Sequence, residues 1–194
     1  MIESSGQLKG EQSGKKSRKI VVTGPCGYEV AGVMALLSES GCPVYHAGAK
    51  TVGAGDLLIV ALSACPELGW WKEQIRLRRQ RQAGRYRMVA LVPGSLEKVV
   101  SRQGICPVVS GDEPTTVLRE HLSAEVRTWR EGRPAHEMVC TDILPAQQMR
   151  ALAVLMSGTV VRRKAEYCHR YLGLARLGFH SGPQYQRYHS GPEA

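Results

Sequence analysis

No two of the six cysteines (Cys26, Cys42, Cys65, Cys106, Cys140, Cys168) stand as a CxxC pair, and their spacing fits no zinc module. Several of them read as small, reduced core residues of a cytoplasmic protein. Apolar runs long enough to span a bilayer are also lacking, so no membrane association is expected. The polar segment Met1–Arg18, ending in Lys15-Lys16-Ser17-Arg18, has no apolar stretch of the kind a secretory signal needs, and reads as a disordered basic arm. No internal repeat is visible. Nucleotide-binding loops are missing too. Gly24, Gly27 and Gly32 follow a first strand, but Gly24-Pro25-Cys26-Gly27-Tyr28-Glu29 is not G-x-G-x-x-G, no acid lies near the end of the second strand, and there is no Walker lysine. A nucleotide-dependent enzyme is thereby disfavoured, and neither a cofactor nor a metal is implied. Acid excess is the last absence. Against 17 Asp and Glu stand 26 Lys and Arg, a net charge of +9, which favours a polyanionic partner.

What is present is an alternation of short β-rich runs with helical periods. Lys19–Thr23 reads as a strand and Tyr28–Ser38 as a helix with Val30, Val33, Met34 and Leu37 on one face. Pro43–His46 is a short second strand. Leu57–Leu62 is apolar throughout, as expected of a central parallel strand covered on both faces. Leu68–Gln82 reads as a helix burying an edge with Trp70, Trp71, Ile75 and Leu77 and holding arginines in solvent. Arg87–Val92 is a fourth strand, Ser95–Ser101 a short helix and Cys106–Val109 a fifth strand. Asp112–Val126 reads as a helix, with Asp112 as N-cap, Pro114 in the first turn, and Val117, Leu118 and Leu122 inward. The order predicts an α/β unit at 19–126, a doubly wound five-stranded parallel sheet.

The stretch 127–140, with Gly132 and Pro134 and little periodicity, reads as a linker. From 141 to 194 no strand is expected. Thr141-Asp142 caps a predicted helix Leu144–Ser157 that Gly158 closes, with Leu144, Gln148, Leu152 and Leu155 on one face. A second helix runs from Val160 or Arg162 to Leu177, ended by Gly178, and Pro183–His189 forms a last short one. From Arg162 to Arg176 there are five basic residues (Arg162, Arg163, Lys164, Arg170, Arg176) and one acid, Glu166. Tyr167 and Tyr171 lie one turn apart. Such a helix suits a major groove, with cations on phosphates and a central strip on base edges.

The run Lys164-Ala165-Glu166-Tyr167-Cys168-His169-Arg170-Tyr171-Leu172-Gly173-Leu174-Ala175-Arg176-Leu177-Gly178 resembles the recognition-helix signature of LuxR/NarL/FixJ-type transcriptional regulators, K-T-V-x-x-H-(K/R)-x-x-x-(L/I)-x-K-L-G. Lys164, His169, Arg170, Leu174, Leu177 and Gly178 match at the same offsets, with Arg176 in place of lysine. Upstream, Leu144-Pro145 through Leu152, Leu155 and Gly158 looks like the family's first helix. The resemblance implies a helix-turn-helix-like unit binding double-stranded DNA. Tyr167, Cys168 and Tyr171 would face base edges; Lys164, His169 and Arg170 would lie near phosphates; Leu174 and Leu177 would anchor the helix. Two departures stand out. Ala165-Glu166 replaces Thr-Val, and only five residues separate Gly158 from Lys164, where the family carries its scaffold helix. That helix is shortened or gone, so either the motif is reduced or its DNA contact needs a partner.

A five-stranded βα unit ahead of such a segment looks like a response-regulator receiver. Gly55-Asp56-Leu57-Leu58-Ile59-Val60-Ala61-Leu62-Ser63 aligns with that family's strand around the phosphoacceptor aspartate, whose place Ala61 takes. Gly24-Pro25-Cys26 stands where the acidic pair belongs, Val92 where a Ser or Thr belongs, and Ser110-Gly111 where the lysine belongs. The resemblance thus implies a pseudo-receiver without phosphorylation chemistry. It is similar in layout to accessory regulators of the RcsA/BglJ kind, which pair with a complete regulator; the chain is expected to act as a homodimer or as the partner of another regulator, with a dimer face at about 93–126. The alternative is an interaction protein that modulates a partner regulator without binding DNA.

Overall fold

Strand β3 (Leu57–Ala61) is buried at every position, as its unbroken apolar run requires. In the computed structural model, which describes residues 18–133, 144–158 and 164–191, it lies at the centre of a five-stranded sheet. The order is β2 (Val44–His46), β1 (Ile20–Thr23), β3, β4 (Arg87–Val92), β5 (Val108–Ser110), and every pairing is parallel. This is the expected doubly wound, receiver-like topology. The pleat sends alternate side chains to opposite faces. Ile20, Val22, Leu57, Ile59, Ala61, Val89 and Leu91 meet helices α1 (Gly27–Leu37) and α4 (Thr115–Arg130). Val21, Leu58, Val60, Met88, Ala90 and Val92 meet α2 (Trp71–Ala83) and α3 (Glu97–Ser101). The step from β2 to β3 is made by turns, without a helix.

Three expectations are corrected at the edges of these elements. On α2, Trp70 and Leu77 are buried but Ile75 is 38% exposed, because the arginine-rich helix buries only a narrow edge. Asp112 does not cap α4; its N-cap is Pro114, and the Asp112 carboxylate instead accepts from the Gly94 amide at 2.9 Å. Nor does α4 stop at Val126. Trp129 continues the stripe of Leu122 and Val126, is buried, and donates its indole N–H to the Gly55 carbonyl at 2.9 Å. The α/β unit therefore runs to Arg130, and the segment expected as a linker begins after it. Its remainder from 134 to 140, the arm up to 17 and the Thr141-Asp142 cap lie outside the described residues.

The rest is helical: α5 (Ala146–Met156), α6 (Lys164–Leu177) and α7 (Gly182–His189). On α5, Gln148, Ala151, Leu152 and Leu155 are buried and Met149 is exposed, matching the expected face. Leu152, Leu155, Leu174, Phe179 and Tyr188 join the same buried cluster as the sheet face beneath α2 and α3. The small helical unit is thus docked on the α/β unit. α7 makes most of that joint. The Gly69 amide donates to the Arg187 carbonyl, the Gln184 amide to the Ser95 carbonyl, and the Tyr188 hydroxyl to Gln74.

Candidate nucleic-acid interface

In a sheet of this order, ligands bind in the crevice outside the carboxyl ends of the strands where the winding reverses, here between β1 and β3. The chain closes that crevice with its own atoms. A side chain on Gly24 would place a Cβ 2.3 Å from the Ala61 carbonyl oxygen, so β1 leaves in contact with β3 and nothing larger than glycine fits. At Gly111 a Cβ would stand 2.1 Å from that of Ser63. The Glu29 carboxylate, one turn into α1, accepts from the Ser63 amide (2.9 Å), the Ser63 hydroxyl (2.5 Å) and the Ala64 amide (3.3 Å). Those two amides are the donors a bound anion would use, and they are taken. Asp56 lies at the opposite end of β3, buried, accepting from the Lys19 and Gly53 amides and paired with the Lys19 ammonium at 3.1 Å. Among the described residues no three His, Cys, Asp or Glu side chains come together as a metal-ligand set.

The exposed chemistry sits on α6. Its carboxyl end is a Schellman turn. Gly178, at φ +86°, donates to the Ala175 carbonyl, and Phe179 donates to that of Leu174. Only glycine serves at 178, because a Cβ there would meet the Lys98 carbonyl at 2.8 Å. Arg102, one residue past α3, donates to the carbonyls of Ala175 and, at 2.7 Å, Arg176, neutralising the negative end of the helix. Gly173 lets α6 lie close on α5; an added Cβ would be 3.2 Å from Leu152.

With Gly173 and Leu174 inward, the opposite side is free. Tyr167 and Tyr171 are 64% and 65% exposed, which makes them a two-ring strip clear of the core. Lys164, Cys168 and Arg176 are exposed as well, whereas His169 and Arg170 are half-buried. Arg162 and Arg163 lie outside the described residues. The seven described residues expected at the interface therefore all lie on one helix, but Arg170 turns toward the α/β unit. It lines a cleft with Lys98 and Arg102. Those two cations were not anticipated; their spacing of four beside the apolar pair Val99-Val100 is the only sign of them in the sequence. Within the segment expected as a dimer face, Arg102 bonds the end of α6 and Ser95 bonds α7.

Fold and interface together describe a protein with a receiver-like α/β unit and a small helical unit that presents a basic, tyrosine-bearing helix. A solved structure of two RcsB dimers bound to two parallel DNAs is similar, with a TM-score of 0.61 at 10% identity, covering 89% of this chain and 97% of that one. A structure of the Salmonella typhimurium RcsB response regulator overlaps 89% of this chain and 96% of its own at 13% identity, with a TM-score of 0.42. At such identity the likeness to the first is one of fold. The chain matches no family model and no curated protein sequence. No described helix is long and apolar enough to cross a membrane.

Proposed function

We propose that this chain is a DNA-binding transcriptional regulator that acts without phosphorylation, as a homodimer or as the partner of another regulator. The observation that carries the proposal is the exposed Tyr167–Tyr171 strip on α6, flanked by Lys164 and Arg176 and continuous with the offsets of a recognition helix. The net charge of +9 supports it, as does the likeness in fold to a protein whose solved complex holds DNA. Phosphates are met by the cations and bases by the tyrosine strip. Independence from phosphorylation is inferred from Ala61 at the phosphoacceptor position and from the Glu29 carboxylate on the neighbouring amides. Under this proposal the chain catalyses nothing.

Fluorescence anisotropy with candidate promoter duplexes tests the reading. Lys164→Ala, at an exposed flank of the strip, should weaken binding to all sequences, whereas Tyr171→Ala should alter sequence preference. Affinity should fall steeply with salt, by a log–log slope of about −0.9 per neutralised phosphate. Incubation with a small-molecule phosphodonor and Mg²⁺ should add no mass. A second reading, an interaction protein that modulates a partner regulator without touching DNA, is favoured by Glu166, exposed on α6, and by the five residues left for a scaffold helix. Affinity for every duplex that stays near zero at low salt would decide for it.

A further inference from the structure

The cleft between α3, α6 and the amino end of α7 has a volume of about 610 Å³, a size that suits a small molecule and not a duplex. Its walls are one-signed. Lys98, Arg102, Arg170 and His180 line it, with no Asp or Glu among the described lining residues. Arg102 is engaged with the end of α6, but Arg170 makes no hydrogen bond or ion pair among the described residues. Its Nε and Nη2 are closed to solvent and have no acceptor among the described residues, so an oxyanion in the cleft reaches them once the side chain turns outward. Those two N–H groups form one edge of the guanidinium, the edge that grips two oxygens of a single oxyanion. A buried cation without an acceptor is costly, and an anion placed in the cleft removes that cost. Lys98 is exposed and makes no ion pair among the described residues. Tyr167 and Tyr171 add flat faces at the rim, and Leu155, Leu174 and Phe179 an apolar floor.

We propose that this cleft binds a small organic phosphate bearing a planar ring. Converging cations without a counter-acid match a dianion better than a single carboxylate. Arg170 and Lys98 hold the phosphoryl oxygens, and the ring lies against the tyrosine faces. Because Tyr167 and Tyr171 also belong to the proposed duplex face, the occupant and DNA exclude one another; this consequence, unlike the binding itself, rests on the DNA-binding reading.

Calorimetry on the full chain with adenosine monophosphate, inorganic phosphate and adenosine tests the site. Saturable binding of the monophosphate at one site is expected, with inorganic phosphate weaker and adenosine not bound. Arg170→Gln and Lys98→Gln should each weaken the monophosphate about tenfold or more, while Arg79→Gln, exposed on α2, should leave it unchanged. Lys98 is at the surface, so its variant folds even if that of Arg170 does not. No saturable binding of the monophosphate overturns the proposal. So does equal binding by adenosine or inorganic phosphate, or an equal loss in the Arg79 and Lys98 variants. Competition with a labelled duplex separates the two readings. Monophosphate that binds and displaces DNA supports both, and monophosphate that binds while DNA stays in place overturns the exclusion. Monophosphate that binds a chain with no affinity for DNA sinks the regulator and leaves the cleft standing.

Discussion

The crevice at the ends of β1 and β3 and the cleft between α3 and α6 are both places where hydrogen-bond donors converge, and the chain treats them oppositely. In the crevice, the Ser63 and Ala64 amides are held by Glu29, Gly24 brings β1 against the Ala61 carbonyl, and Gly111 leaves no room beside the Ser63 side chain. In the cleft, the Arg170 edge has no acceptor among the described residues and the walls enclose about 610 Å³. A fold that ordinarily binds at the strand ends has filled that position from within, and its unsatisfied charge has moved to the helical unit. Fold alone therefore does not place a site; the pairing of donors does.

Four measurements break or sharpen this contrast. The largest effect is expected from Ala61→Asp, which puts a carboxylate into a fully buried position against Gly24. A loss of about 3–5 kcal/mol should follow, read as a lower urea midpoint. Wild-type stability in that variant would mean the crevice has room after all. Next is Glu29→Ala, which leaves two amides and a hydroxyl without their acceptor and should cost about 2 kcal/mol. Faster hydrogen exchange at Ser63 and Ala64 identifies the plug, and unchanged protection would assign it elsewhere. Arg102→Ala should cost about 1 kcal/mol by freeing the last carbonyls of α6. Exchange should quicken in α6 and α7 while β3 stays protected. If β3 quickens equally, the two units open as one.

The smallest effect concerns pH. Burial pushes the Cys106 thiol, beneath α2 and α3, from its ordinary 9 up to about 12. The folded chain keeps a proton there that the unfolded chain loses, so this contribution is intact below pH 9 and declines as pH rises toward 12. At about pH 9.5 the decline is just under about 1 kcal/mol. Cys106→Ala should flatten the dependence of melting temperature on pH between 9 and 10; an unchanged slope would mean that water reaches this sheet face.

Much of the architecture was legible. Leu57–Leu62 announced a strand covered on both sides, and Leu152, Leu155 and Gly158 announced the inner face and the end of α5. Errors fell where a residue's partner is remote in sequence. Asp112 sits where an N-cap belongs, but Gly94 supplies a nearer donor. Trp129 looked like linker because Gly132 and Pro134 follow closely, although it extends the Leu122–Val126 stripe and finds the Gly55 carbonyl across the fold. The tyrosine strip was readable from helical spacing. Arg170 was not, since its position depends on Lys98 and Arg102, dozens of residues away.

By itself the sequence determined the parallel sheet, the alanine at position 61 of its central strand, and a basic helix ending at Gly178, because each depends on local period, residue identity or a backbone that only glycine allows. Tertiary structure decided which cations stay free, which carboxylate seals the crevice, and that α7 clamps the helical unit onto α2 and α3. Those outcomes depend on pairings across long chain separations, where the nearest donor or acceptor is chosen by packing and not by sequence order.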